Sequence, residues 1–186
     1  MATWTQRMIG AAKLDVATYE EVEADSGATM QAMLAVVVAA IAAGVGQASR
    51  GGSKAFVIGT IGALIGWFLW ALLTWLIGTK LLPEAETHAD MGQLLRTTGF
   101  SASPGILKVL GGIPGLGFLI TLAASLWMLA AMVVAVRQAL DYKSTGRAIG
   151  VCLIGFLVNM AVAIGVAVLV GGGAAALTGG AEGGAN

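Results

Sequence analysis

AFVIGTIGALIGWFLWALLTWLIG, residues 55–78, runs for 24 residues without an Asp, Glu, Lys, Arg or His. The hydrocarbon core of a bilayer, about 30 Å thick, is crossed by about 20 helical residues. In lipid only a helix or a closed barrel can satisfy the backbone. The run is apolar without the two-residue alternation of a barrel strand, so it reads as a membrane-spanning helix. Working outward, residues 30–48, 116–136 and 148–170 have the same character, each free of Asp, Glu, Lys and Arg.

Composition points the same way. The chain has 186 residues, 58% hydrophobic and 11% charged, against about 25% charged in ordinary soluble domains. A chain this small exposes much surface, and charge this sparse cannot cover it, so lipid is the implied solvent. The 28 glycines fit, since close backbone approach replaces the hydrophobic drive between helices in a membrane. Ten basic and ten acidic residues balance, leaving nothing basic enough to track nucleic acid. The single cysteine, Cys152, permits neither an internal disulfide nor a thiolate metal cluster.

A fifth segment, TTGFSASPGILKVLGGI at residues 97–113, carries Pro104 and Lys108. As a seventeen-residue α-helix it would reach only about 25 Å. Basic residues, which gather in cytoplasmic loops, test whether it crosses. With five crossings, Lys13, Lys80, Arg96, Arg137, Lys143 and Arg147 fall on one side and Arg50 and Lys54 on the other. With four, the division is four against five. The asymmetry favours five crossings with a cytoplasmic N-terminus. Ser103 and Pro104 have the chemistry of an N-cap and first helical position, which predicts a helix broken inside the membrane.

Residues 1–29 lack the apolar core of a cleavable signal and hold five acidic residues between Asp15 and Asp25. They read as a retained, acidic, helical cytoplasmic segment. Thr18 and Glu21 have capping-box spacing. Glu20, Glu21, Glu23 and Asp25 are candidates for docking a basic partner, although helical spacing prevents Glu20, Glu23 and Asp25 from sharing one face. The tail 171–186, rich in glycine and nearly uncharged, reads as flexible. The transmembrane domain lies between, at 30–170.

Within or beside the spans the polar candidates are Arg96, Pro104, Lys108, Arg137 and Asn159. A lysine at the bilayer centre costs roughly 2.5–3.5 kcal/mol, so Lys108 must snorkel, pair or line water. Asn159, midway along the last span, suits an interhelical hydrogen bond. Gly62 with Gly66, and Ala161 with Gly165, are small-xxx-small pairs expected at close helix contacts, within the chain or between chains. Ala35, Ala39 and Ala43 extend the pattern along the first span. Trp75 sits where an interfacial anchor would, whereas Trp67, Trp70 and Trp127 suit packing or a groove. His88 is the only histidine, and neither a phosphate-cradling motif nor a nucleophile elbow occurs. No catalytic, cofactor or metal site is expected.

Three stretches taken together carry a resemblance: DVATYEEVEAD at 15–25, GFSASPG at 99–105, and Trp127 with AVRQALD at 135–141 followed by GRA at 146–148. Their order and spacing resemble prokaryotic members of the Yip family, the Ypt/Rab-interacting proteins, as far as about Val170. The resemblance implies five crossings, a cytoplasmic N-terminus and a role in membrane organisation. Eukaryotic members bind prenylated Rab GTPases. This sequence lacks the DLYGP-type stretch and the long N-terminal region of those proteins, so a Rab-type partner is not expected.

The expectation is therefore an all-α polytopic bundle with five transmembrane segments, the third short and broken by proline, in a bacterial cytoplasmic (inner) membrane. Its partners would be the lipid bilayer and other membrane proteins or further copies of itself. It would act as a non-enzymatic scaffold or accessory subunit. The alternative is a small transporter or channel subunit built around Pro104 and Lys108.

Overall fold

The computed structural model describes residues 2–46 and 48–182, with the side chains of 48–55, 163 and 166–182 left aside. Every regular element among the described residues is helical. Two short helices come first, α1 (Trp4–Ala12) and α2 (Val16–Ala24). Long helices α3 (Ala28–Gly46) and α4 (Ala48–Leu76) follow, the latter ending in a π-helical turn, Ile77–Leu81. Then come α5 (Met91–Phe100), a 3-10 helix (Ser103–Gly112), α6 (Gly117–Ala139) and α7 (Thr145–Glu182). Among the described residues four stretches are long and apolar enough to cross a membrane: Ala28–Gly46, Phe56–Leu81, Gly117–Ala139 and Thr145–Val162. They agree with the four read from sequence to within a few residues at the ends described.

Packing follows the logic of a lipid solvent. The buried line of α3 is Ala28, Ala32, Ala35, Ala39, Ala42 and Gly46, while Met30, Leu34, Ile41 and Val45 point outward. Likewise α6 buries Ala124, Ala131, Ala135 and Ala139 and exposes Phe118, Leu119, Leu122, Leu126 and Leu129. Where lipid is as apolar as leucine, large side chains lose nothing by facing out, and small ones inside let backbones approach. Close approaches of this kind join α3 to the α5–3-10 segment. A Cβ on Gly46 would stand 2.0 Å from the Lys108 carbonyl oxygen, and one on Gly99 2.7 Å from the Ala32 Cβ.

Local signals differ from expectation at both capped starts. The N-cap of α2 is Asp15, not Thr18: its carboxylate accepts from the Thr18 N–H at 3.2 Å and from the Thr18 hydroxyl at 2.6 Å. The helix begins one turn earlier because Leu14 takes a left-handed conformation (φ 62°) that turns α1 sharply into α2. The third segment divides between α5 and the 3-10 helix. Pro104 stands in its first turn, but the N-cap is Ala102, without a side-chain cap bond. The Ser103 hydroxyl instead donates back to the Phe100 carbonyl at 2.5 Å. Buried Thr97, Thr98 and Ser101 likewise bond carbonyls three or four residues back. This is how hydroxyls are satisfied inside a helical segment away from water. The Gly-rich stretch expected to be irregular is helical to Glu182, and 183–186 lie outside the described residues.

The bundle has two distinct ends. At one, α1 and α2 rest against the start of α5 and the end of α6, beside the turns that follow the π-helical turn and α6. There Lys143 Nζ meets Glu86 at 2.8 Å, Arg147 Nε meets Glu84 at 3.3 Å, and the Tyr142 hydroxyl lies 2.7 Å from the Leu82 carbonyl oxygen. At the other end, Gly46 closes on Lys108 and Gly111, and Gly117 on Gly111.

Candidate functional site

The N-terminal helices form a cap locked to the bundle through polar side chains. Arg7 is its centre, 1% exposed. It donates to Glu21 Oε1 at 2.9 Å, Asp25 Oδ2 at 2.8 Å and Gln31 Oε1 at 3.0 Å, tying α1 to the end of α2 and the start of α3. Sequence reading missed Arg7. The signal was available, because Trp4, Arg7, Met8 and Ala11 share one helical face by their spacing, and a cation on an otherwise apolar face needs a counter-ion.

Each acid of the stretch 20–25 has a partner within the chain. The Ala2 N–H, then Arg7, hold the Glu21 carboxyl below its ordinary range, and Arg7 does so for Asp25. Glu23 accepts from Gln93 Nε2 on α5 at 2.9 Å, and exposed Glu20 from Gln138 Nε2 on α6 at 3.2 Å. Arg96, buried on α5, places its guanidinium on the Val22 and Glu23 carbonyls at 3.0 and 3.1 Å. A cation there meets the negative end of the α2 dipole. Arg137 closes the turn after α6 through the Tyr142 carbonyl at 3.2 Å. Trp127 on α6 completes the clasp, its indole N–H donating to the Ala12 carbonyl at 2.7 Å.

Glu23 is the exception in electrostatics. Burial, then the charge of Asp141, pushes its carboxyl up to about 7, against the pull of Arg96. A raised value in the folded state means stability that is full below the ordinary 4.5 and lost as pH rises through about 7. At 1.36 kcal/mol per pKa unit the effect is at most about 3 kcal/mol, and solvent reduces it to about 1–2 kcal/mol. Thermal unfolding in mild detergent should therefore show a less stable chain at pH 8 than at pH 6. Glu23→Gln, which keeps the shape but not the charge, should abolish most of that difference.

The second feature is a cavity of about 330 Å³ between α3, α4, the α5–3-10 segment and α6. Its walls include Ala39, Ala63, Trp70, Lys108, Met128 and Met132. Lys108, half-buried, makes no ion pair or side-chain hydrogen bond with a described residue, and the buried Trp70 indole N–H also has no acceptor among them. Trp67 differs, donating to the Leu95 carbonyl at 3.1 Å, as Trp75 does to Ala89 at 3.0 Å.

A comparison with protein families matches the Yip1 domain over residues 16–176. The chain belongs to the Yip1 domain family. Among curated proteins and among solved structures, nothing similar to it is found. The family match begins at the first residue of α2 and takes in the contacts of α2 with α5 and α6 and the cavity. Its start leaves α1, and with it Arg7, outside the matched part of this Yip1 domain chain.

The remaining candidates are scattered. Asn159 is half-buried on α7 without a hydrogen bond to a described residue. A Cβ on Gly62, Gly66 or Gly165 would meet nothing within 4 Å, and Ala161 is exposed. Gly66 borders the cavity, and Gly62 and Gly165 make no close contact with described parts of the chain, whereas Gly46, Gly99 and Gly105 do. Glycine spacing could not separate the two sets, because it does not say which face of a helix meets a neighbour. Around exposed His88 the acids have other work: Glu84 and Glu86 hold Arg147 and Lys143, and Asp90 caps α5. Among the described residues no three His, Cys, Asp or Glu side chains converge on a metal-sized site.

Proposed function

We propose that this multi-pass Yip1 domain protein is a non-enzymatic scaffold or accessory subunit of a membrane complex, held to its partner through the outer face of α4. The supporting observation is the open ground around exposed Gly62, where an added Cβ would meet nothing within 4 Å. Glycine costs about 0.8–1.0 kcal/mol relative to alanine inside a helix. Inside this chain that cost is offset by close backbone contact, as at Gly46 and Gly99. On the outer face of α4 a helix of another protein or another copy would supply the same compensation.

The proposed arrangement has five crossings, with the N-terminal helices in the cytoplasm of a bacterial cell. Lys143, in the turn after α6, and Arg147, at the start of α7, hold the turn that precedes α5, while Gln93 and Gln138 tie the neighbouring ends of α5 and α6 to α2. Gly117, where α6 starts, lies beside Gly111 and, through it, the far end of α3. Between them the chain travels from one end to the other through α5 and the 3-10 helix. A 3-10 helix rises about 2.0 Å per residue, so Ser103–Gly112 covers about 20 Å, more than an α-helix of equal length. Compartment-specific reporters at the two termini should answer from opposite sides.

Purification in mild detergent after cross-linking in native membranes tests the role. The expected result is a defined partner or dimer that is lost in Gly62→Leu while membrane insertion persists. A monomer without a cross-linked neighbour overturns it. Glu20→Lys belongs in the same assay, because Glu20 is the exposed acid of the stretch and can be reversed without touching Arg7. A second reading, a transporter or channel subunit around Pro104 and Lys108, draws on the cavity beside Lys108. Its measure is substrate flux in reconstituted vesicles that Lys108→Ala abolishes.

A further inference from the structure

The geometry points to the cavity beside Lys108 as a binding site for one acyl chain of an anionic phospholipid, with the lipid phosphate at the Lys108 ammonium. Three observations carry this. At about 330 Å³ the space lies within the range of about 300–1,000 Å³ in which small-molecule pockets fall. Its walls are almost wholly apolar and come from the α5–3-10 segment and from α3, α4 and α6, the last three being candidate spans, so its mouth opens toward hydrocarbon. The flexible thioethers of Met128 and Met132 can follow a chain of variable shape.

The charge then selects the headgroup. Lys108 brings a cation to the cavity wall without a carboxylate among the described residues to neutralise it. An unpaired cation at membrane depth needs an anion, and a phosphodiester without a compensating cation supplies one where a zwitterionic headgroup cancels most of the attraction. Depth is consistent with a lipid. Four residues at the 3-10 rise separate Lys108 from Gly112, about 8 Å, within reach of a snorkelling lysine. Lys108 packs on Gly46, the end of α3 remote from Arg7 and Trp4, so the lipid comes from the leaflet opposite the N-terminal cap.

The test uses the full chain in detergent micelles, titrated with phosphatidylglycerol or phosphatidylcholine and read by native mass spectrometry. Brominated acyl chains supply a second reading through quenching of tryptophan fluorescence at Trp67 and Trp70. One phosphatidylglycerol should be retained per chain, preferred over phosphatidylcholine by about fivefold, the factor equivalent to one basic residue at an anionic surface. Lys108→Gln should erase the preference, Lys108→Arg should keep it, and Ala63→Phe should reduce quenching by filling the cavity. Should Lys108→Gln fail to fold, the Arg variant and Ala63→Phe decide by the same two readings. Equal retention of both lipids, a preference unchanged without the Lys108 charge, quenching unaffected by Ala63→Phe, or displacement of the lipid by inorganic phosphate alone overturns the assignment.

Discussion

Glu21→Gln combined with Asp25→Asn is expected to destabilise the chain more than Arg7→Met does, although both remove the same ion pairs. The asymmetry comes from which partner can reach water. The Glu21 and Asp25 side chains are 36% and 24% exposed, whereas that of Arg7 is 2% exposed. Without Arg7 the carboxylates turn to solvent, and methionine fills the space of the arginine stem. Without the carboxylates, the guanidinium stays buried and uncompensated, a situation that costs about 3–5 kcal/mol. Hydrogen exchange should then find the opening confined first to α1 and α2, since Arg7 joins them to the start of α3. The same ion pairs predict acid sensitivity. Both carboxyls are held below their ordinary values of 4.5 and 3.8, so their contribution is present above those values and lost as pH falls through the lowered ones. Urea midpoints in mild detergent, measured on the two variants side by side, check the order.

Gly46→Leu should cost about 3 kcal/mol or more, while Gly62→Leu should leave stability within about 0.5 kcal/mol of the parent or slightly raise it. At Gly46 the first added carbon would sit 2.0 Å from a backbone oxygen of Lys108 and 3.2 Å from the Gly111 nitrogen. Backbone cannot swing aside as a side chain does, so α3 and the 3-10 helix must separate. At Gly62 a side chain enters open space, and the helix gains propensity. Unfolding midpoints of the two variants in the same detergent would show whether these glycines differ as described. The Gly62 variant also separates stability from assembly, because it should fold well yet lose its neighbour if α4 is the docking face.

Much was legible from particular residues. Residues 55–78 can be read as a span because the argument needs only length, apolarity and the cost of unsatisfied backbone in lipid. The family resemblance rested on motifs at 15–25, 99–105 and 135–148, and the Yip1 domain match covers all three. Functional candidates fared differently. Glu21 and Asp25 look free in one dimension, since their partner Arg7 lies 14 and 18 positions earlier on another helix. Gly62 and Gly66 look like a packing pair, yet Gly62 faces open space and Gly66 borders the cavity. Ser103 before Pro104 has the chemistry of a cap, but its hydroxyl found a carbonyl three residues back.

By itself the sequence determined the solvent, the helical class and the approximate places where helices enter and leave lipid, because those depend on transfer free energies summed over contiguous residues. Only the tertiary structure decided that Arg7 is buried, that Trp127 clasps Ala12, and that Lys108 borders an apolar cavity. Each of those depends on the rotation and register with which helices meet. In this chain that is set by alanine and glycine contacts between residues as far apart as Ala32 and Gly99, which no local pattern records.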